Sequence, residues 1–294
     1  MNYSSNDLTI IIVLFEESKD LVFNCLKNIQ NFKIIIIDNA NDTNLKKEIE
    51  KKFKIEKYLL SKKNIGFTKA ANQAIKLCET EYILNINADC FIQEKDIINL
   101  IKSHKNYKNC FITSPTFYDD NLSLAYNAGT FDEKKLSKEA LNLEGDVCVD
   151  KVLGSAILFK KKDMEDLNFL DENFFIFFED DDLCKKAKNK GMSVIQTFDA
   201  KAKHLHGQSK VKNILKRTFL RNYHFTYDQL YYYHKIGQGE KYTILKKKIN
   251  NYFIKMFINF LILNLSKSIY YFSIIKAFYD FKRLMNFIPK KNKQ

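Results

Sequence analysis

The feature that most constrains this chain is a change of hydrophobic period that repeats through its first 90 residues. Residues 9–15 and 33–38 are continuous apolar runs rich in isoleucine, and residues 55–60 and 82–86 are shorter versions. Runs of β-branched residues without polar alternation suit strands buried on both faces. Between them apolar residues recur at helical spacing: Leu21, Cys25 and Ile29 after a Ser18 cap, then Leu45, Ile49 and Phe53 after Asn44. Ala70, Ala71, Ala74, Ile75 and Cys78 make a third stripe. Strand–helix repeats this short predict an open, mixed but mostly parallel α/β sheet flanked by helices. Residues 111–159 are less regular and read as strands mixed with loops. Residues 182–191 read as a helix ended by Gly191, and everything beyond Lys210 is helical in character.

Composition narrows the field. With 46% apolar residues in 294, the chain can bury a large core and is not a disordered or fibrous polymer. The formal charge of +13 is unevenly placed: residues 1–209 hold 30 basic and 32 acidic side chains, and residues 210–294 hold 18 and 3. A nearly neutral body precedes a strongly basic tail. The chain carries no nucleic-acid-binding motif, so no nucleic-acid partner is expected. Residues 1–7 are polar with no apolar signal core, and no export is expected. The six cysteines form no CxxC pair, which favours buried, reduced thiols in a cytoplasmic protein.

In a parallel sheet, ligands bind beyond the carboxyl ends of the strands. Two of the expected strands end in carboxylates, at Asp38-Asn39 and at Asn87-Ala-Asp89. The first strand–helix turn, Leu14-Phe-Glu-Glu-Ser-Lys19, contains no glycine, and no GxxxxGK[ST] appears anywhere. Dinucleotide-binding enzymes and P-loop NTPases are therefore disfavoured. A carboxylate-bearing site still holds a diphosphate when a divalent cation bridges the two.

Residues 9–15, Asp38-Asn-Ala-Asn-Asp42, Asn64-Ile-Gly-Phe67 with Asn72, and Asn87-Ala-Asp89 resemble the nucleotide-sugar-binding half of family-2 inverting glycosyltransferases of the GT-A fold. Val152-Leu-Gly-Ser-Ala156, Leu170-Asp-Glu-Asn-Phe-Phe175, Phe178-Glu-Asp-Asp-Asp-Leu-Cys184 and His204-Leu-His-Gly-Gln-Ser209 follow in the family's order and spacing. They are most similar to its rhamnosyltransferase-type branch. Each motif is weak alone, and the ordered series is specific. The resemblance implies a GT-A catalytic domain over residues 8–230 and a basic amphipathic helical tail over residues 231–294.

The resemblance also implies roles. Asp38, Asn64, Gly66, Asn72 and Asn87 would contact the nucleotide-sugar donor, with Asp38 accepting from the base or ribose. The alternative for Asp38 is a cap on the turn that follows it, and Asp42 reads as a turn residue. Asp89, in the place of the family's DxD, would bind Mg²⁺ or Mn²⁺, helped by His204, with His206 as competitor for that place. Ser209 and Lys210 would approach the phosphates. Family members often carry an arginine just before the asparagine that matches Asn72; here Ala71 stands there, which shifts diphosphate neutralisation to the metal and lysines. Asp180 would be the base, held in place by Glu179, while Asp182 caps the next helix. Gly154, Ser155, Asp171 and Glu172 would line the acceptor side.

The implied function is metal-dependent, inverting transfer of a sugar, with rhamnose a candidate, from a nucleotide diphosphate to a saccharide or lipid-linked acceptor in surface polysaccharide synthesis. A sugar-nucleotide pyrophosphorylase is disfavoured because no Gly-rich, Lys/Arg-bearing loop follows the first strand. In the tail, Lys248, Asn251, Lys255 and Asn259 share one helix face, and the longest uncharged run there is residues 256–266, about half of what a membrane span needs. Two amphipathic helices are expected, either packed on the body or lying on the anionic inner face of the cell membrane. A reading of a different class is a membrane-surface scaffold that keeps the fold without turnover.

Overall fold

The computed structural model describes residues 7–121, 123–125, 128–131, 144–205 and 213–287. His206, Ser209 and Lys210 lie outside the described residues. In chain order the first elements are β1 (Leu8–Leu14), α1 (Lys19–Leu26), β2 (Lys33–Asp38), α2 (Thr43–Lys52), β3 (Lys57–Leu60), α3 (Phe67–Leu77) and β4 (Tyr82–Ile86). Then follow β5 (Cys90–Ile92), α4 (Glu94–Asn106), β6 (Cys110–Tyr118), β7 (Ala128–Gly129), β8 (Val147–Val149), β9 (Lys151–Val152), β10 (Ala156–Lys160), α5 (Lys161–Asp166), α6 (Glu179–Asn189) and β11 (Ser193–His204).

The main sheet runs β3-β2-β1-β4-β10-β6-β11-β5, with β8 added beside β11. β1 to β4 are parallel, and antiparallel β10 turns the sheet mixed. Burial explains the unbroken isoleucine runs. Ile34 and Ile36 of β2 join one core with Leu8, Ile10 and Ile12, while Ile35 and Ile37 join the opposite core with Ile11. α1, α2 and α4 supply the first core, and α3 and α6 the second. Ala70, Ala71 and Ala74 are fully buried, small side chains that let α3 lie close to the sheet.

The strand order places the site. After β1 the chain steps outward to β2 and β3, then returns to β4 on the other side of β1. In open α/β sheets such a reversal is where ligands bind, beyond the carboxyl ends of the strands, here β1, β2 and β4.

Some boundaries differ from the sequence reading. Asp42, not Asn44, caps α2, its carboxylate accepting from the Asn44 and Leu45 amides. α6 begins at Glu179, so Asp182 lies inside its first turn and is paired with Lys186 at 3.6 Å rather than capping it. The reason is Phe178, whose φ of 67° turns the chain straight into the helix.

By their internal packing the residues form two units, residues 1–172 with 179–210 and residues 173–178 with 211–294. The second holds α7 (Ile214–Lys235), α8 (Glu240–Leu261) and α9 (Leu265–Phe287) around Leu230, Ile249, Ile275, Phe278 and Phe281. α7 runs unbroken through residue 230, where the sequence reading places its domain boundary, because Leu230 is part of that core. The aromatic run at 174–178 belongs here too. Phe174 packs edge-on against Tyr231, and Phe175 stacks on His224. The amides of Phe175, Ile176 and Phe177 all donate to the fully buried Asp228. Burial drives the Asp228 carboxyl up to about 6, although those three amides oppose the shift.

Candidate active site

Every described residue singled out in the sequence as a site candidate lies in the first unit. Three carboxylates stand beyond the ends of adjacent strands: Glu17 after β1, Asp38 at the end of β2 and Asp89 after β4. Glu17 escaped the sequence reading, which saw in the first turn only the lack of glycine. Glu16 adopts a φ of 60°, and Glu17 turns back to accept the Phe15 amide. Burial first, and then the negative charges of Asp89 and Asp38, push the Glu17 carboxyl up to about 7. The clue in the sequence was a pair of acids immediately after an apolar strand.

Asp38 is only 1% exposed, and its oxygens accept from the Ala40 amide at 2.7 Å, the Asp42 amide at 3.2 Å and the Tyr58 hydroxyl at 3.1 Å. Burial raises its pKa, against those bonds. In this geometry the carboxylate organises its own turn. Next to it, Asn39 donates to the Gly66 carbonyl at 3.1 Å. Asn64 accepts the Gly66 amide at 2.9 Å, and Gly66 takes a φ of 88° as the cap of α3. A glycine suits that left-handed position, and the turn presents the start of α3 at the crevice.

Asn72 is held by contacts within the protein. It is 2% exposed, and its amide is committed to the Leu170 carbonyl (2.9 Å), the Leu170 amide (3.1 Å) and the Glu172 carboxylate (3.1 Å). It faces inward from α3 and anchors the segment carrying Asp171 and Glu172. Both Nδ2 and Oδ1 are thus engaged within the protein.

Asn87, Asp89, Ser155 and His204 gather at the end of β4. His204 Nε2 lies 3.3 Å from Asp89 Oδ1 and 3.3 Å from Ser155 Oγ. Asn87 Nδ2 is 3.5 Å from the same hydroxyl, and its amide donates to the Ser155 carbonyl at 2.9 Å. The Leu205 amide donates to the Asp89 carbonyl at 3.0 Å, tying β11 to this corner. Ser155, expected beside the acceptor, is in contact with Asn87 and His204. The Asp89 carboxylate and the His204 imidazole, 3.3 Å apart, are the two side chains here that could hold a divalent cation. No group of three or more His, Cys, Asp or Glu side chains placed to hold a metal ion occurs among the described residues.

Asp180, in the first turn of α6, is held from both sides. The Gly154 amide donates to Oδ2 and the Asp181 amide to Oδ1, each at 2.8 Å. These backbone partners, which no sequence pattern announced, hold the carboxylate. Burial and then the neighbouring Asp181 charge raise Asp180 to about 6, while Asp181 itself pairs with Lys151 at 2.9 Å. Gly154 is needed for contact: a Cβ there would come within 3.1 Å of Asp180 Cβ and 3.2 Å of Oδ2. The Gly154-Ser155 dipeptide therefore joins two centres, one residue gripping Asp180 and the next touching Asn87 and His204.

The model of glycosyl transferase family 2 matches residues 9–167. The chain is 24% identical to the rhamnosyltransferase WbbL of Escherichia coli over 259 residues, covering 74% of this chain and 97% of that protein. It is 26% identical to the dTDP-rhamnosyl transferase RfbF of Shigella flexneri over 71% of this chain and 72% of that protein. The hexosyltransferase Agl10 of low-salt glycan biosynthesis in Haloferax volcanii is 24% identical, with 64% of its length spanned. A crystal structure of GalNAc-T7 with UDP, GalNAc and Mn²⁺ superposes with a TM-score of 0.56 at 12% identity, covering 68% of this chain and 43% of that one, which identifies the shared GT-A fold. With more than half of its length inside the family model, the chain belongs to glycosyl transferase family 2.

Proposed function

We propose that this chain moves a sugar, with rhamnose the leading candidate, from a nucleotide diphosphate donor onto a saccharide or lipid-linked acceptor, with inversion, during cell-surface polysaccharide synthesis. The sugar is suggested by relatives that are themselves rhamnosyltransferases. The observation that carries the chemistry is the Gly154-Ser155 link between the Asp89–His204 corner and the fixed Asp180 carboxylate.

In this reading the donor diphosphate lies at the end of β4, against Asn87 and Ser155. Asp89 and His204 would hold Mg²⁺ or Mn²⁺, which when bound neutralises charge on the departing diphosphate. Asp180 takes the proton from the acceptor hydroxyl as that oxygen bonds to the anomeric carbon. The bond from that carbon to the diphosphate oxygen breaks on the opposite side, which inverts the centre. A carboxylate near 6 is ionised at neutral pH and basic enough to accept a proton. Asn72 acts at one remove, by positioning Asp171 and Glu172 for the acceptor. Asp38, Asn64 and Gly66 shape the base-binding edge of the crevice. The basic helical segment, none of whose helices is long and apolar enough to cross a membrane, brings the enzyme to the inner membrane face, where lipid-linked acceptors reside.

The test is release of nucleotide diphosphate from a panel of dTDP- and UDP-sugars, with and without Mn²⁺ or Mg²⁺. Cation-dependent release from a dTDP-hexose supports the assignment. Failure with every donor leaves the scaffold alternative.

A further inference from the structure

α8 carries two apolar stripes and uses only one of them. Leu245, Ile249, Tyr252 and Met256 face the core of the second unit. At 100° per residue, Ile254, Phe257 and Leu261 form a separate stripe on another side, each at least 59% exposed. This stripe runs on into the α8–α9 turn, where Ile262 is 66% and Leu263 81% exposed. Lys248 and Lys255, with Asn251 and Asn259, occupy a third side, and Lys267 lies in the first turn of α9.

Two details of the turn bear on what covers this surface. Leu263 has a φ of 57°, a left-handed conformation that favours glycine or asparagine at a helix end, yet the position holds a large apolar side chain. The turn's backbone amides are also bonded from within. The amides of Ile262, Leu263 and Asn264 donate to the carbonyls of Ile258, Phe260 and Asn259. The Asn259 side chain donates to the Lys255 carbonyl, and Asn264 accepts the Lys267 amide. A backbone closed on itself can enter an apolar medium without stranding donors.

We propose that the Ile254–Leu263 stripe seats in the headgroup–acyl boundary of an anionic lipid bilayer, with Lys255 and Lys267 reaching back to the phosphates. Lipid is the occupant because cationic side chains flank the apolar surface: residues 240–287 carry nine basic and two acidic groups. The early position of Lys267 limits the depth to about 5–10 Å. This deepens the membrane-surface part of the function proposed above and rests on it for the choice of bilayer.

The chain contains no tryptophan, so Leu263→Trp supplies a single indole at the turn. With the full-length protein and vesicles of phosphatidylglycerol and phosphatidylcholine, its emission should shift blue and be quenched by lipids brominated near the top of the acyl chain. Leu263→Asp suits the left-handed backbone and should keep the thermal transition and nucleotide release of the parent. It should raise the lipid needed for half-maximal sedimentation by about tenfold or more, the equivalent of losing one buried leucine. Sedimentation with an unquenched indole would mean binding by lysines alone and overturn the proposal. So would absence of sedimentation at low salt, or a lipid-free oligomer that Leu263→Asp dissociates, since a second copy would then cover the stripe. Vesicle binding without any nucleotide release would leave this proposal standing and defeat the enzymatic reading instead.

Discussion

Replacing Gly154 by alanine disturbs the proposed base without touching its carboxylate chemically. The added Cβ would lie 3.1 Å from Asp180 Cβ and 3.2 Å from Oδ2. Asp180 Cβ is fixed by the first turn of α6, so the carboxylate must rotate or the 154 backbone must withdraw. Either movement stretches the 2.8 Å bond from the Gly154 amide to Oδ2. A hydrogen bond to an ionised group is worth about 1.5–3 kcal/mol, and 1.36 kcal/mol corresponds to one pKa unit. That bond favours the charged form, so its loss should raise the Asp180 pKa by about one to two units from its present value of about 6. The base works only when ionised. The acid limb of kcat/KM should therefore move up by the same amount, and activity at pH 6, where half of the parent's base is already protonated, should fall by about 5- to 50-fold, with recovery towards pH 9. Donor affinity, measured by calorimetry, should be unchanged. An acid limb that stays in place, with activity within twofold of the parent at pH 6, would refute the assignment of Asp180 as a base tuned by Gly154.

Three further outcomes are expected. Asp180→Asn should lower turnover by about 10²–10⁴ at every pH, and since one amide oxygen cannot accept from both backbone amides that now hold it, the loss should exceed that of Gly154→Ala; equal losses would count against it. Asp89→Ala should abolish the Mn²⁺ dependence of donor binding in calorimetry while the thermal transition stays in place, because it removes one of the two proposed protein ligands. Glu17→Gln tests the buried carboxyl near 7. A folded-state pKa above the unfolded one means that the native state binds the extra proton, so stability falls as pH rises from about 4.5 to 7, by up to about 3 kcal/mol. With chelator present, the variant should resist urea better than the parent at pH 8 and equally at pH 4, and equal resistance at both would show that Glu17 carries no such strain.

The strand–helix alternation, the continuous burial of the isoleucine strands, the carboxylates at strand ends and the basic helical tail were legible in the sequence, because each follows from periodicity or charge within a short window. β2 (Lys33–Asp38) and β4 (Tyr82–Ile86) fall where the runs at 33–38 and 82–86 predict them. What only the tertiary structure decided is which polar atoms meet. Asn72 reads in sequence as a donor contact, but α3 turns it towards Leu170 and Glu172, about a hundred residues away in the chain. Ser155 joins His204, Asp180 is gripped by the backbone of Gly154, and Glu17 is pushed up by burial and then by Asp89 and Asp38, all through contacts between separate segments of the chain. The second apolar stripe of α8 belongs to the same class: periodicity shows that a helix has apolar sides, but only packing shows which side is left uncovered. A sequence pattern records the environment each residue prefers, whereas hydrogen bonds and pKa shifts depend on distances of a few ångströms between segments that the sheet order alone brings together.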